Sequence, residues 1–171
     1  SHHNHYIEKV LAVILGGNMS SRMFLAVREA KGLSYYISTS TDDYLDTGII
    51  STRAGVDVKR AKEAVEAIVL EYKKIRGEEI GEAEIKKAKE YLKGKLALRL
   101  EDSEEFAHLI GKYELLHETS IDPKLISEKI DSVTAEDLKR VTEELFDPSK
   151  LYLAAIGPYE NKKEFEDLLQ M

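Results

Sequence analysis

The chain has no cysteine, no tryptophan and only three prolines. Without cysteine there is no disulfide framework, no thiolate nucleophile and no cysteine-ligated zinc, so a reducing compartment is allowed but not required. Cytoplasm is the expected location. Long apolar runs are also missing: none approaches the ~18 to 20 residues that span a bilayer, and no basic, apolar and small-residue signal pattern is present. Positive charge is in deficit, with 25 Lys and Arg against 32 Asp and Glu for a net charge of -7. No face gathers a basic footprint, which argues against nucleic acid and anionic membrane as partners.

What remains is a chain of 171 residues, 43% hydrophobic and 33% charged, enough for one domain with a sizeable core. Tyr6, Val10, Val13 and Gly17, flanked by Ile7, Leu11, Ile14 and Leu15, recur at helical spacing and predict a largely buried helix punctuated by Gly16-Gly17-Asn18. Ser20 or Ser21 is positioned to cap a short second helix bearing Phe24, Val27 and Arg28, which Gly32 ends in a left-handed conformation. Residues 34–41 and 48–54 are β-branched or aromatic and partly alternating, with Asp42, Asp43 and Asp46 between them, and predict a hairpin.

Helical patterns dominate the rest. Asp57 caps a helix striped by Ala61, Val65, Ile68, Tyr72 and Ile75, and a second long helix covers about residues 82–100. Asp102-Ser103-Glu104-Glu105 offers a capping box for a third, with Phe106, Leu109, Ile110, Tyr113 and Leu116 on one side. Asp122-Pro123 opens another. Thr134 and Asp137 form a capping box, with Val133 and Leu138 as hydrophobic staple, for a helix ending near Phe146. Leu151 to Ile156, LYLAAI, reads as a buried strand, and a last amphipathic segment follows from Glu164 to Leu169. Few, clustered strands among many helices define an α+β fold: an antiparallel or mixed sheet with helices packed on one face.

Catalytic motifs are scarce. The histidines are His2, His3, His5, His108 and His117, and none has a partner three or four residues away within a helix, as a helical zinc pair requires. The terminal cluster reads as solvated and non-ligating, and His117 beside Glu118 as a helix-end contact. Neither His-x-x-Glu-His nor His-Glu-x-x-His occurs, so no metal ligand is assigned. Gly16-Gly17 lacks the other glycines and the lysine of a phosphate cradle and reads as a helix cap. Arg28 and Tyr35 lie seven residues apart across a helix end, a glycine turn and a strand start. A guanidinium and a phenol so placed are the groups needed to hold a peptide carbonyl and stabilise an oxyanion. By themselves they read first as a surface ion pair of Arg28 with Glu29 or another acid and as core packing of Tyr35, and spacing alone is not enough for more.

The run LGGNMSSRMFLAVREAKGLSYYI resembles the start of the second, non-metal-binding half-domain of the pitrilysin, insulinase and mitochondrial processing peptidase family of inverted-motif zinc metallopeptidases, the inverzincins. A weaker likeness continues through STRAGVDVKRAKEAVEAI, EIKKAKEYLKGKLALRLEDSEEFAHLIGKYEL and IDSVTAEDLKRVTEELFDPSKLYLAAIG. The resemblance implies a single C-terminal half-domain over residues 1–171, with zinc and His-x-x-Glu-His in an N-terminal half or partner subunit, and a peptide chamber closed between the two. It implies that Arg28 grips substrate backbone carbonyls and that Tyr35 helps stabilise the tetrahedral intermediate of peptide hydrolysis. The chain alone is then expected to be inactive.

Two departures qualify the likeness. The strand that ordinarily precedes the first helix is missing, so the chain is expected to be a fragment whose open sheet edge is a template for a homodimer. The glycine segment is the short GGNMSS rather than the long glycine-rich loop of the substrate-recognising processing subunit. A non-catalytic assembly subunit, like the core proteins of a respiratory complex, is the rival reading because fold does not fix function.

Overall fold

In the computed structural model, which describes residues 4–44, 46–117 and 122–169, the helix α1 (His5–Gly16) is apolar around most of its circumference. Such a helix must be enclosed. Eight of its twelve residues are buried, and Val10, Leu11 and Leu15 show no exposed surface; each fully buried side chain of this size contributes ~1.5–3 kcal/mol.

One wall of the enclosure is a hairpin of β1 (Ser34–Asp43) and β2 (Gly48–Val56), paired antiparallel with Thr39 opposite Thr52. Ile37 and Thr39 are buried on the covered face of β1, while Tyr36, Ser38 and Ser40 alternate onto the exposed face. The strand and the end of α1 approach so closely that a Cβ on Gly16 would sit 2.5 Å from the Thr39 amide nitrogen. Beneath that contact, Thr39 and Thr52 share a 2.8 Å hydroxyl bond, and the phenol of the buried Tyr72 donates to Thr52 at 2.5 Å. The buried hydroxyls are thus paired with each other, as burial demands.

Helices supply the other walls. A 3-10 turn, Val58–Arg60, capped by the Asp57 carboxylate on the Lys59 amide, leads into α2 (Ala61–Gly77), and α3 (Glu82–Leu100) and α4 (Ser103–His117) follow. Then come α5 (Pro123–Asp131), capped by Asp122 with proline in the first turn, and α6 (Ala135–Leu145). The full capping box of α6 is formed: Thr134 accepts from the Asp137 amide, and Asp137 accepts from the Thr134 amide. Val133 and Leu138 are both buried at the staple positions. Helices α3, α5 and α6 lie against α1, and Tyr72 of α2 stacks on Phe146 with centroids 4.8 Å apart. The chain ends in α7 (Lys163–Glu166) and a further 3-10 turn. The α+β class, antiparallel pairing and covered sheet face are as the sequence predicts.

Two expectations need correction. The run 151–156 is extended but belongs to no sheet: Tyr152 and Ile156 are 88% and 103% exposed, and the amides of 152–156 have no backbone partner among the described residues. An apolar run becomes a strand only beside another strand, and β1 and β2 pair only with each other. Neither Ser20 nor Ser21 caps the second helix with its hydroxyl; both hydroxyls donate to Asn18, whose Oδ1 also accepts the Ser20 amide. Gly17 caps the end of α1, as the sequence predicts, with φ -79. Its smallness serves packing, since a Cβ there would sit 2.6 Å from the Val13 Cα. His2, His3 and Glu118 lie outside the described residues, and with them the expectations for the terminal histidines and the His117 contact.

Two outcomes test this fold. Gly16→Ala is expected to cost ~1–3 kcal/mol, read as a lower urea midpoint, because α1 and β1 must separate to admit the methyl group. The Asp137 carboxyl is held below its usual range, chiefly by the Thr134 hydroxyl and then by the Thr134 amide. A depressed folded pKa gives stability that is present above the ordinary aspartate range and is lost as pH falls through the depressed value. Asp137→Asn is therefore expected to lower the melting temperature at neutral pH and to narrow its gap to the parent in strong acid.

Candidate functional site

The segment between α1 and β1 departs twice from regular geometry, and each departure carries one of the two candidate residues. Residues Phe24–Glu29 form a π-helix, with the Ala30 amide bonded back to the Leu25 carbonyl at 2.9 Å. Such turns recur at functional sites because they re-aim side chains. Arg28 lies within this one, exposed, its guanidinium carbon 4.9 Å from the Phe24 ring centroid. Among the described residues it forms no ion pair with Glu29 or any other acid.

The second departure is a bulge. Ser34 pairs with Val56 and Tyr36 with Gly55, leaving Tyr35 as the extra residue on β1. In a regular strand neighbouring side chains take opposite faces, whereas a bulge redirects one of them. Tyr35 is accordingly 91% exposed, and its neighbour Tyr36 lies across Gly55, where a Cβ would come within 2.5 Å of the ring. Tyr35 is therefore not a core residue.

Between the two sits a left-handed turn. Gly32 has φ +57, the Leu33 amide bonds to the Val27 carbonyl at 2.9 Å, and the Gly32 amide bonds to the Arg28 carbonyl at 3.0 Å. The Gly32 bond is that of an αL helix end, the Leu33 bond closes a ring one residue wider than a Schellman motif, and the buried Val27 and Leu33 flank the turn. Glycine is required here by the backbone angle.

Two arginines not singled out by the sequence reading brace this segment. Ahead of the π-helix, Arg22 makes a bidentate pair with Glu84 of α3, both bonds 2.9 Å, with Glu78 3.5 Å away. The guanidinium is 16% exposed, and the Glu84 hydrogen bonds raise its pKa. Behind it, Arg60 donates to the Gly32 and Lys31 carbonyls at 3.2 Å each and holds Glu63 in a second bidentate pair. The Arg60–Glu63 spacing is legible as a helix-start pair, but its carbonyl partners lie 28 and 29 residues away and carry no local signal.

No three His, Cys, Asp or Glu side chains among the described residues are grouped to hold a metal ion. His5 instead lies 3.4 Å from Asp43, and His108 is 3.9 Å from Glu104. With no inverted zinc motif in the sequence, the residues present do not fit a zinc centre. No described helix is long and apolar enough to cross a membrane.

A hairpin laid over one buried helix, with helices around it, defines an α+β domain. Residues 1–92 match the family described as the peptidase M16 inactive domain, and the chain belongs to that family. It is 34% identical over 155 residues to an uncharacterized zinc protease of Mycobacterium leprae, covering 90% of this chain and 34% of the relative. The chain thus spans about a third of the length of the curated relatives it matches. Among solved structures it resembles a conserved protein from Enterococcus faecalis, with TM-score 0.74, 27% identity, and 83% of this chain and 33% of that one covered. A chain of complex III2 from Candida albicans shares the fold at TM-score 0.74 and 24% identity, covering 82% and 36% respectively.

Replacing Arg22 tests the forward brace. Arg22→Met leaves Glu84 partly buried without its partner, and a loss of ~1–3 kcal/mol is expected in chemical denaturation. The double variant Arg22→Met with Glu84→Leu is expected to recover much of it.

Proposed function

We propose that this chain is the non-zinc half of a zinc-dependent endopeptidase, closing the substrate chamber against a zinc-binding half that lies on the same polypeptide or on a partner subunit. The observation that carries the reading is the pair Arg28 and Tyr35: each is exposed, each sits on a one-residue departure from a regular ladder, and Arg28 is free of acid partners among the described residues. Ordinary surface and core roles account for neither. A guanidinium holds a peptide carbonyl through parallel N–H donors, and a phenol O–H donates to the oxygen that gains charge as the carbonyl becomes tetrahedral. In this arrangement Arg28 binds and orients the substrate backbone while Tyr35 acts on the reacting carbonyl.

The rival is an assembly subunit, favoured by the shared fold of the complex III2 chain. A scaffold has no use for an exposed arginine and tyrosine on paired irregularities, so their presence supports the peptidase. A His-x-x-Glu-His motif in the companion polypeptide separates the two.

Kinetics of the complete peptidase test the assignment. Tyr35→Phe is expected to lower kcat by about 10- to 1000-fold with little change in KM, the pattern of a donor used only in the transition state. Arg28→Ala is expected to raise KM as well as lower kcat. Unchanged peptide hydrolysis in both variants overturns the proposal.

A further inference from the structure

The left-handed turn that separates Arg28 from Tyr35 uses the Gly32 and Leu33 amides internally but leaves the Lys31 and Gly32 carbonyls pointing outward. Both carbonyls are taken by one side chain. Arg60 Nη2 donates to Lys31 O and Nη1 to Gly32 O, at 3.2 Å each. The other edge of the same guanidinium, Nε and Nη2, lies on the Glu63 carboxylate at 3.1 and 3.2 Å. Glu63 stands in the first turn of α2, and its carboxyl is held below the usual range mainly by Arg60. Arg60 itself is fixed at its backbone by a 2.9 Å bond from its amide to the Asp57 carbonyl.

We infer that Arg60, clamped by Glu63, is a positioning residue that sets the angle between the π-helix carrying Arg28 and the bulge carrying Tyr35. The inference rests on the peptidase role proposed above for those two residues. A planar guanidinium with both edges engaged fixes two successive peptide planes at once, which a point charge cannot do. Those planes lie midway along the chain between the two functional side chains, so a small rotation there is carried to both. Displacement of a catalytic group by about 1 Å can cost up to 100-fold in rate. Among the described residues, Arg60 is the one whose side chain bonds the outward carbonyls of the turn.

The test uses the complete peptidase and a double-mutant cycle, with amide exchange as a second readout. Arg60→Ala is expected to lower kcat by about tenfold, Arg60→Lys to restore little of it, and Glu63→Gln to give a smaller loss. In the Tyr35→Phe background, Arg60→Ala is expected to cost much less than in the parent, because its effect passes through Tyr35. Amide exchange at Gly32 and Leu33 is expected to accelerate in Arg60→Ala. An equal loss in both backgrounds, full rescue by lysine, or unchanged exchange at the turn overturns the inference. Should Tyr35→Phe itself be silent while exchange accelerates, the catalytic assignment of Tyr35 fails and the positioning role falls with it, whereas the clamp remains as a structural brace.

Discussion

The structure depends on the near-contact of α1 with β1 at Gly16. A helix apolar on almost every side has no stable place except inside, and the hairpin can enclose it only because Gly16 lets the Thr39 backbone come within what would be bonding-radius distance of a side chain. That approach brings Thr39 over Thr52 and places the Tyr72 phenol beneath them, tying α2 into the same layer. The hairpin is thereby fixed on the core at the middle of β1, and its first residues, where the bulge occurs, inherit that position. The site is thus an extension of a packing constraint set some twenty residues earlier in the chain.

The arginines of this region divide the work. Arg22 and Arg60 are spent on structure, each bidentate to a carboxylate and each joining the segment to a different helix, α3 and α2. Arg28 has only the Phe24 ring beside it. A charged group left without a carboxylate partner beside two that are fully engaged is electrostatically available to a carbonyl oxygen brought from outside.

Much of this was legible in the sequence where the signal is local. The capping box of Thr134 and Asp137, proline after Asp122, the left-handed Gly32 and the hairpin limits follow from rules that act within four or five residues. Arg28 and Tyr35 are candidates only through the family likeness of the surrounding run. What was not legible is how they are presented. A π-turn and a bulge each insert one residue into a ladder, and neither leaves a mark in hydrophobic periodicity over so few residues. The braces at Arg22 and Arg60 join positions 28 to 62 residues apart, beyond any periodic pattern. The run LYLAAI shows the reverse failure: its composition is that of a strand, but pairing is a property of a neighbour and not of the run itself.

The π-turn has a geometric corollary. Its hydrogen-bond ring holds one residue more than that of an α-helix, so losing a single residue between Phe24 and Arg28 would relax the segment into a better helix. The wider ring therefore comes at the expense of helix regularity, and it sets where the following turn begins, since the Ala30 amide reaches Leu25 rather than Ala26.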